Sequence, residues 1–137
     1  MHIDAPEAWK DLSTAAWLVR ENAVAIRTKV GAAVQGRREH GDRFVNLVFR
    51  GCNIEDLWKA SSIHAERSAL AAMVSAGCAR AEKILIAAER ERLTPCGNCM
   101  DFLMQFGGPE LLVAFQPSPD AAVNVYTAAE LMPHYPR

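Results

Sequence analysis

The chain has 137 residues, room for one domain (1–137) with a real core but scarcely for two. Its formal net charge of −1, with 23% charged residues, argues against a strongly electrostatic nucleic-acid binder. No apolar run approaches the roughly 20 residues needed to span a bilayer, and no basic segment leads into an apolar one at the start, so the protein is expected in the cytoplasm. Thiols stay reduced there, and Cys52, Cys78, Cys96 and Cys99 are better read as free or metal-bound than as disulfides.

From about Ala5 to Ala25, apolar Trp9, Leu12, Ala16 and Val19 recur at helical spacing. Val30 to Val34 reads as a strand, Gly36 to Asp42 as a polar hairpin turn, and Phe44 to Phe49 as the returning strand. A loop over about Gly51 to Ser62 leads to a second helix from His64 to Ala76, with Gly77 as its stop. The apolar run Lys83 to Ala88 has the pattern of a strand buried on both faces. The solvated run Glu89-Arg90-Glu91-Arg92 follows it. Thr94-Pro95 opens a third helix, with Pro95 near its first turn, and Gly107-Gly108-Pro109 ends it. Leu111 to Phe115 and Val123 to Tyr126 complete five strands, and Thr127 to Met132 forms a closing helical turn. Helices interleaved with strands predict a three-layer α/β/α sandwich around one five-stranded mixed sheet.

Two segments carry chemistry: His64-Ala65-Glu66, and Pro95-Cys96-Gly97-Asn98-Cys99. Two cysteines three apart at a helix start can place both sulfurs on one metal, and the helix N-terminus favours the thiolate. His64 would be the third ligand. Three protein ligands leave tetrahedral zinc one open position, the mark of a catalytic site, and zinc brings the pKa of a water there toward roughly 7. Glu66, two residues past the histidine, can reach that water without being a ligand. This pattern of His-x-Glu followed by Pro-Cys-x-x-Cys is that of zinc-dependent nucleobase deaminases. Cys52 and Cys78 have no such partners and read as ordinary buried cysteines.

Over about Lys29 to Pro133 the chain resembles the cytidine deaminase family of short zinc enzymes. Lys29-Val30-Gly31-Ala32-Ala33 resembles its first strand, Gly51-Cys52-Asn53-Ile54-Glu55 its sugar-binding strand end, and Glu130-Leu131-Met132-Pro133 its C-terminal turn. The zinc motifs are shared with cytosine, guanine and tRNA adenosine deaminases. Asn53 with Glu55, and the Val-Gly-Ala-Ala strand, select the cytidine branch. The resemblance implies that Glu66 moves the water's proton to the ring nitrogen and then to departing ammonia. It also implies that the Ala65 N–H and the Thr94 carbonyl hold the base edges, and that Asn53 and Glu55 bond the sugar hydroxyl. A homotetramer, or at least a dimer, acting on a small-molecule substrate is expected by the same resemblance.

Several positions depart from the family's pattern. Short members usually carry cysteine where His64 stands, with an arginine after the glutamate to offset the thiolate charge; here Arg67 remains beside a neutral histidine. Met100-Asp101 replaces the usual Arg-Gln pair. Thr28 and Pro136 stand where aromatic rings normally pack around the base, with His134, Tyr135 and Trp58 near in sequence as substitutes. Cytidine, deoxycytidine, a modified or larger aminated base, a nucleoside antibiotic and another aminated heterocycle therefore all stay open as substrates. A nucleic-acid editor and a non-catalytic zinc module are the readings the sequence favours least.

Overall fold

The computed structural model describes residues 1–56, 58 and 61–136. Strand β1 (His2–Asp4) leads into a short 3₁₀ turn (Pro6–Trp9) and helix α1 (Lys10–Arg20). Strands β2 (Gly31–His40) and β3 (Arg43–Cys52) form a long hairpin. Then follow α2 (Ala65–Ser75), β4 (Arg80–Ala87), α3 (Gly97–Gly107), β5 (Leu112–Gln116), β6 (Val123–Thr127) and the single turn α4 (Ala128–Leu131). The sheet runs β1-β6-β5-β4-β2-β3, with β4 and β5 parallel and every other pair antiparallel.

The alternation of side chains along the strands builds the layers. Ala32, Val34, Ile84, Ile86 and Val113 point to one face and pack against α2, α3 and α4. Ala33, Leu85, Ala87, Ala114, Val123 and Val125 point to the other, where Trp9, Leu12 and Ala16 cover them. Ile84, Leu85, Ile86 and Ala87 are each fully buried, as the continuous apolar run predicts for a central strand. The predicted three-layer α/β/α sandwich is thus observed, with one correction: the mixed sheet has six strands. The sixth is β1, which pairs with β6 through His2↔Val125 and Asp4↔Val123.

Other boundaries shift for physical reasons. The first helix ends at Arg20 and does not continue to Ala25. The predicted turn over Gly36 to Asp42 is mostly strand, since β2 and β3 stay paired out to His40↔Arg43. This outer part of the ribbon is exposed, so polar residues suit it. α3 begins after Pro95, with Cys96 as its N-cap residue.

Two glycines let the helices lie against the sheet at the end that carries the site. A Cβ on Gly31 would stand 2.0 Å from the Ala16 carbonyl oxygen of α1, and one on Gly51 would stand 2.4 Å from the Ala69 nitrogen of α2. Both neighbours are backbone and cannot move aside, so the absence of a side chain sets the approach of α1 and of the first turns of α2.

Candidate active site

The starts of α2 and α3 meet beside the site-proximal ends of β2 and β4. His64 is the N-cap residue of α2 and Cys96 that of α3; both have extended backbone and neither caps its helix with a side chain. That leaves their side chains free for another task. Cys99 follows one turn into α3. The Nδ1 of His64 lies 3.3 Å from Cys96 Sγ and 3.4 Å from Cys99 Sγ, and the three donor atoms all lie within 4.8 Å of one another. For zinc bonds of about 2.3 Å to sulfur and 2.0–2.1 Å to nitrogen, tetrahedral angles put such donors about 3.6 Å apart. The set therefore fits zinc in number, chemistry and spacing.

Electrostatics point the same way. Burial pushes the Cys99 thiol far above its ordinary range, and the neighbouring Glu66 and Cys96 add to the shift. A thiol buried beside Glu66 and Cys96 is costly to ionise, and a divalent cation bound to its sulfur would offset that cost. Glu66, in the first turn of α2, is 5% exposed. Burial raises its carboxyl above the usual range, while a backbone hydrogen bond, His64 and a hydrogen bond with Cys99 oppose the rise. It thus stands next to the donor triad as a separate acid–base group.

A cavity of about 430 Å³ opens over this corner. Glu66, His64, Ala65, Cys96 and Thr94 line it, as do Asn53 and Glu55 from the far end of β3. The structure so brings together Asn53, Glu55, Ala65 and Thr94, the four residues expected to bind substrate. Asn53, however, is already committed. Its Oδ1 accepts from the Val30 N–H at 2.8 Å, and its Nδ2 donates to the Thr28 carbonyl at 2.9 Å and reaches Glu55 Oε1 at 3.5 Å. Glu55 Oε2 accepts from the Ile26 N–H at 2.8 Å. Both side chains therefore hold the segment 26–30 as one wall of the cavity, and Glu55 Oε1 keeps the most capacity for a ligand.

Other predicted residues lie elsewhere. The Arg67 guanidinium sits over the Phe102 ring at 4.9 Å, joining α2 to α3, and Arg67 does not line the cavity. Tyr135 donates to Asp101 Oδ1 at 2.5 Å, so the residue after the last zinc cysteine's neighbour anchors the C-terminal segment. Trp58 is 86% exposed. Among the described residues no Phe, Tyr or Trp lines the cavity. Cys78 is buried as expected, and Cys52 is half-buried.

Sequence reasoning missed Arg27, Ser62, Arg90 and Leu93, all of which line the cavity. Arg90 lies in the alternating charge run read as solvated. Its neighbour Glu89 does turn outward, 3.8 Å from Arg20 Nη2. The available signal was position: the run stands between a fully buried strand and the Pro-Cys motif, so part of it had to pass the site.

The fold and this corner together define a deaminase-type α/β/α domain with a His-Cys-Cys metal set. Residues 7–115 match the family described as the cytidine and deoxycytidylate deaminase zinc-binding region. The structure is similar to cytidine deaminase from Burkholderia pseudomallei, at 32% identity and a TM-score of 0.76 over 91% of this chain and 96% of that one. It is also similar to cytidine deaminase from Mycobacterium leprae, at 28% identity and a TM-score of 0.70 over 92% and 98%. It shares its fold with a dCMP deaminase from the cyanophage S-TIM5, at 20% identity and a TM-score of 0.53 over 80% and 84%. The chain belongs to the cytidine deaminase family, and its cofactor is the zinc of that family's zinc-binding region. No helix among the described residues is long and apolar enough to cross a membrane.

Proposed function

We propose that this chain hydrolytically deaminates a cytosine-type base carried on a small nucleoside, releasing ammonia. The observation that carries this reading is Glu66, a buried carboxylate beside the His64-Cys96-Cys99 set and open to the same cavity. Zinc, when bound there, supplies a Lewis acid that makes a water reactive near neutral pH. Glu66 accepts the proton that this water loses and delivers it to the ring nitrogen next to the amino-bearing carbon. A new C–O bond forms at that carbon. Glu66 then takes the proton of the new hydroxyl and passes it to the amino nitrogen; the C–N bond breaks, the hydroxyl carbon becomes a carbonyl, and ammonia leaves. A carboxyl whose pKa is raised by burial suits both directions of transfer. The Ala65 N–H, at the start of α2 where no carbonyl of the helix can reach it, is free to donate to the base edge; Thr94 lines the same cavity, and on this reading its carbonyl accepts from the base.

The lack of an aromatic wall among the described residues favours a second reading, in which a substituted or larger aminated base is preferred to plain cytosine. Aromatic contacts are worth roughly 0.5–1.5 kcal/mol each beyond their buried area, so plain cytidine is expected to bind less tightly where they are missing. Ammonia release on a panel of cytidine, deoxycytidine and ring-substituted analogues tests both. Release from none of them would remove the deaminase reading, and a clear optimum at plain cytidine would remove the second. On the resemblance, we also read the protein as a cytoplasmic homo-oligomer, a tetramer or at least a dimer; sedimentation at micromolar concentration would show a monomer if this is wrong.

A further inference from the structure

We infer that the substrate carries an anionic group, a phosphate or a carboxylate on its sugar side, which Arg27 and Arg90 receive at the mouth of the cavity. This inference rests on the deaminase reading for the rest of the ligand. Arg27 comes from the loop between α1 and β2, and Arg90 from the turn after β4. Both line the cavity and both are exposed, whereas Glu66 at its floor is buried. Neither guanidinium makes an ion pair among the described residues, with Glu55 and Glu66 of the same cavity included; the paired arginines are Arg20, Arg37 and Arg80.

The backbone that carries each arginine is held. On either side of Arg27, the Ile26 N–H donates to Glu55, the Thr28 carbonyl accepts from Asn53, and the Val30 N–H donates to Asn53. The Arg90 N–H donates to the Ala88 carbonyl at 2.8 Å. Two cations are thereby presented to one cavity from two fixed pieces of chain. A guanidinium has five donors and no acceptor, and its planar fork matches the oxygens of a phosphate or carboxylate. An uncharged nucleoside offers hydroxyls alone, which a guanidinium binds less strongly than the oxygens of an anion. An anionic substituent also accounts for a site without stacking rings: recognition moves from the faces of the base to the far end of the ligand.

The test measures binding of product-type ligands that are not turned over: uridine, uridine 5′-monophosphate and uridine-5′-carboxylate, by titration calorimetry on the zinc-loaded protein. One or both anions are expected to bind roughly tenfold or more tightly than uridine, with the advantage shrinking as salt is added. Their relative affinities separate phosphate from carboxylate. Arg27→Gln and Arg90→Gln should each reduce the advantage and the double variant abolish it, while Arg90→Lys, which keeps the charge, should retain part of it. Thermal unfolding of each variant controls for folding. Uridine binding as tightly as both anions, or an advantage that survives in the double variant, would overturn the inference. Ammonia release from neutral cytidine together with equal affinity for uridine and both anions would leave the deaminase reading standing alone. An arginine-dependent preference for the anions in a protein that deaminates no aminated pyrimidine would do the reverse. If none of the three ligands binds, the anion inference falls, and ammonia release alone decides the deaminase reading.

Discussion

At its floor the cavity is built from two helix starts and a buried carboxylate; at its mouth it is built from two loops with exposed arginines. The floor residues sit on elements whose packing leaves little freedom. α2 is pressed against Gly51, and α3 is tied to α2 by Arg67 over Phe102 and to the C-terminal segment by Tyr135. The mouth is held by hydrogen bonds from Asn53 and Glu55 to loop backbone. Chemistry that needs sub-ångström placement is thus carried by helix N-termini, and recognition is left to loops whose side chains can change without disturbing it.

The sharpest way to break this contrast is at the floor. Cys99→Ala should lose the metal, and turnover should fall toward the uncatalysed rate, a loss of about 10⁶-fold or more for an ordinary enzyme. Metal analysis alongside kinetics checks it, and full zinc occupancy in this variant would falsify the ligand assignment. Glu66→Gln should keep zinc and the fold but lower kcat by roughly 10²–10⁴-fold, the usual worth of general acid–base catalysis. Activity within a few-fold of the parent would mean that some other group moves the protons.

The mouth should respond differently. Asn53→Ala orphans the Val30 N–H and frees the Thr28 carbonyl. A buried polar group left unpaired costs about 1–3 kcal/mol, so the denaturant midpoint should drop, and KM should rise by a larger factor than kcat falls. An unchanged midpoint with a raised KM would instead make Asn53 a ligand contact and not a loop anchor. The smallest effect is expected far from both regions. The Trp9 indole N–H donates to Asp4 at 2.8 Å, and this bond above all lowers the Asp4 pKa from its ordinary 3.8. A carboxyl depressed in the folded state gives stability that is present above 3.8 and is lost as pH falls through its lower folded value. Asp4→Asn should therefore flatten the acid limb of stability measured by denaturant at several pH values and leave kcat/KM at neutral pH unaltered.

How much of this was legible in the sequence follows the same division. His64, Glu66, Cys96 and Cys99 could be found because zinc chemistry fixes residue type and spacing, and a helix start fixes direction. The central strand could be found because burial on both faces leaves only apolar residues over Ile84 to Ala87. β1 could not: it has three residues, and its pairing is decided by β6, more than a hundred positions away. The outer part of the β2–β3 hairpin was hidden because Arg38, Glu39 and His40 lie in a ribbon with solvent around it, where composition resembles that of a loop. Arg90 was hidden because a charged residue beside a strand end looks the same whether it faces bulk water or a ligand. Arg67 and Tyr135 show a further limit: their partners, Phe102 and Asp101, are set by how α3 packs, which local pattern does not reveal.

The unequal lengths of the sheet's neighbours grade its stiffness along one direction. β2 pairs with β3 from Gly31↔Cys52 to His40↔Arg43, but β4 supports β2 only as far as Arg37↔Arg80. Beyond that rung the ribbon is two strands wide, an arrangement that is marginal by itself in water. Local opening should start there at little free-energy cost, and the amides of residues 38–45 should exchange with solvent deuterium much faster than those of residues 31–34. Thermal motion entering the sheet is thereby taken up at the end remote from Gly31 and Gly51, where α1 and α2 lie against the strands.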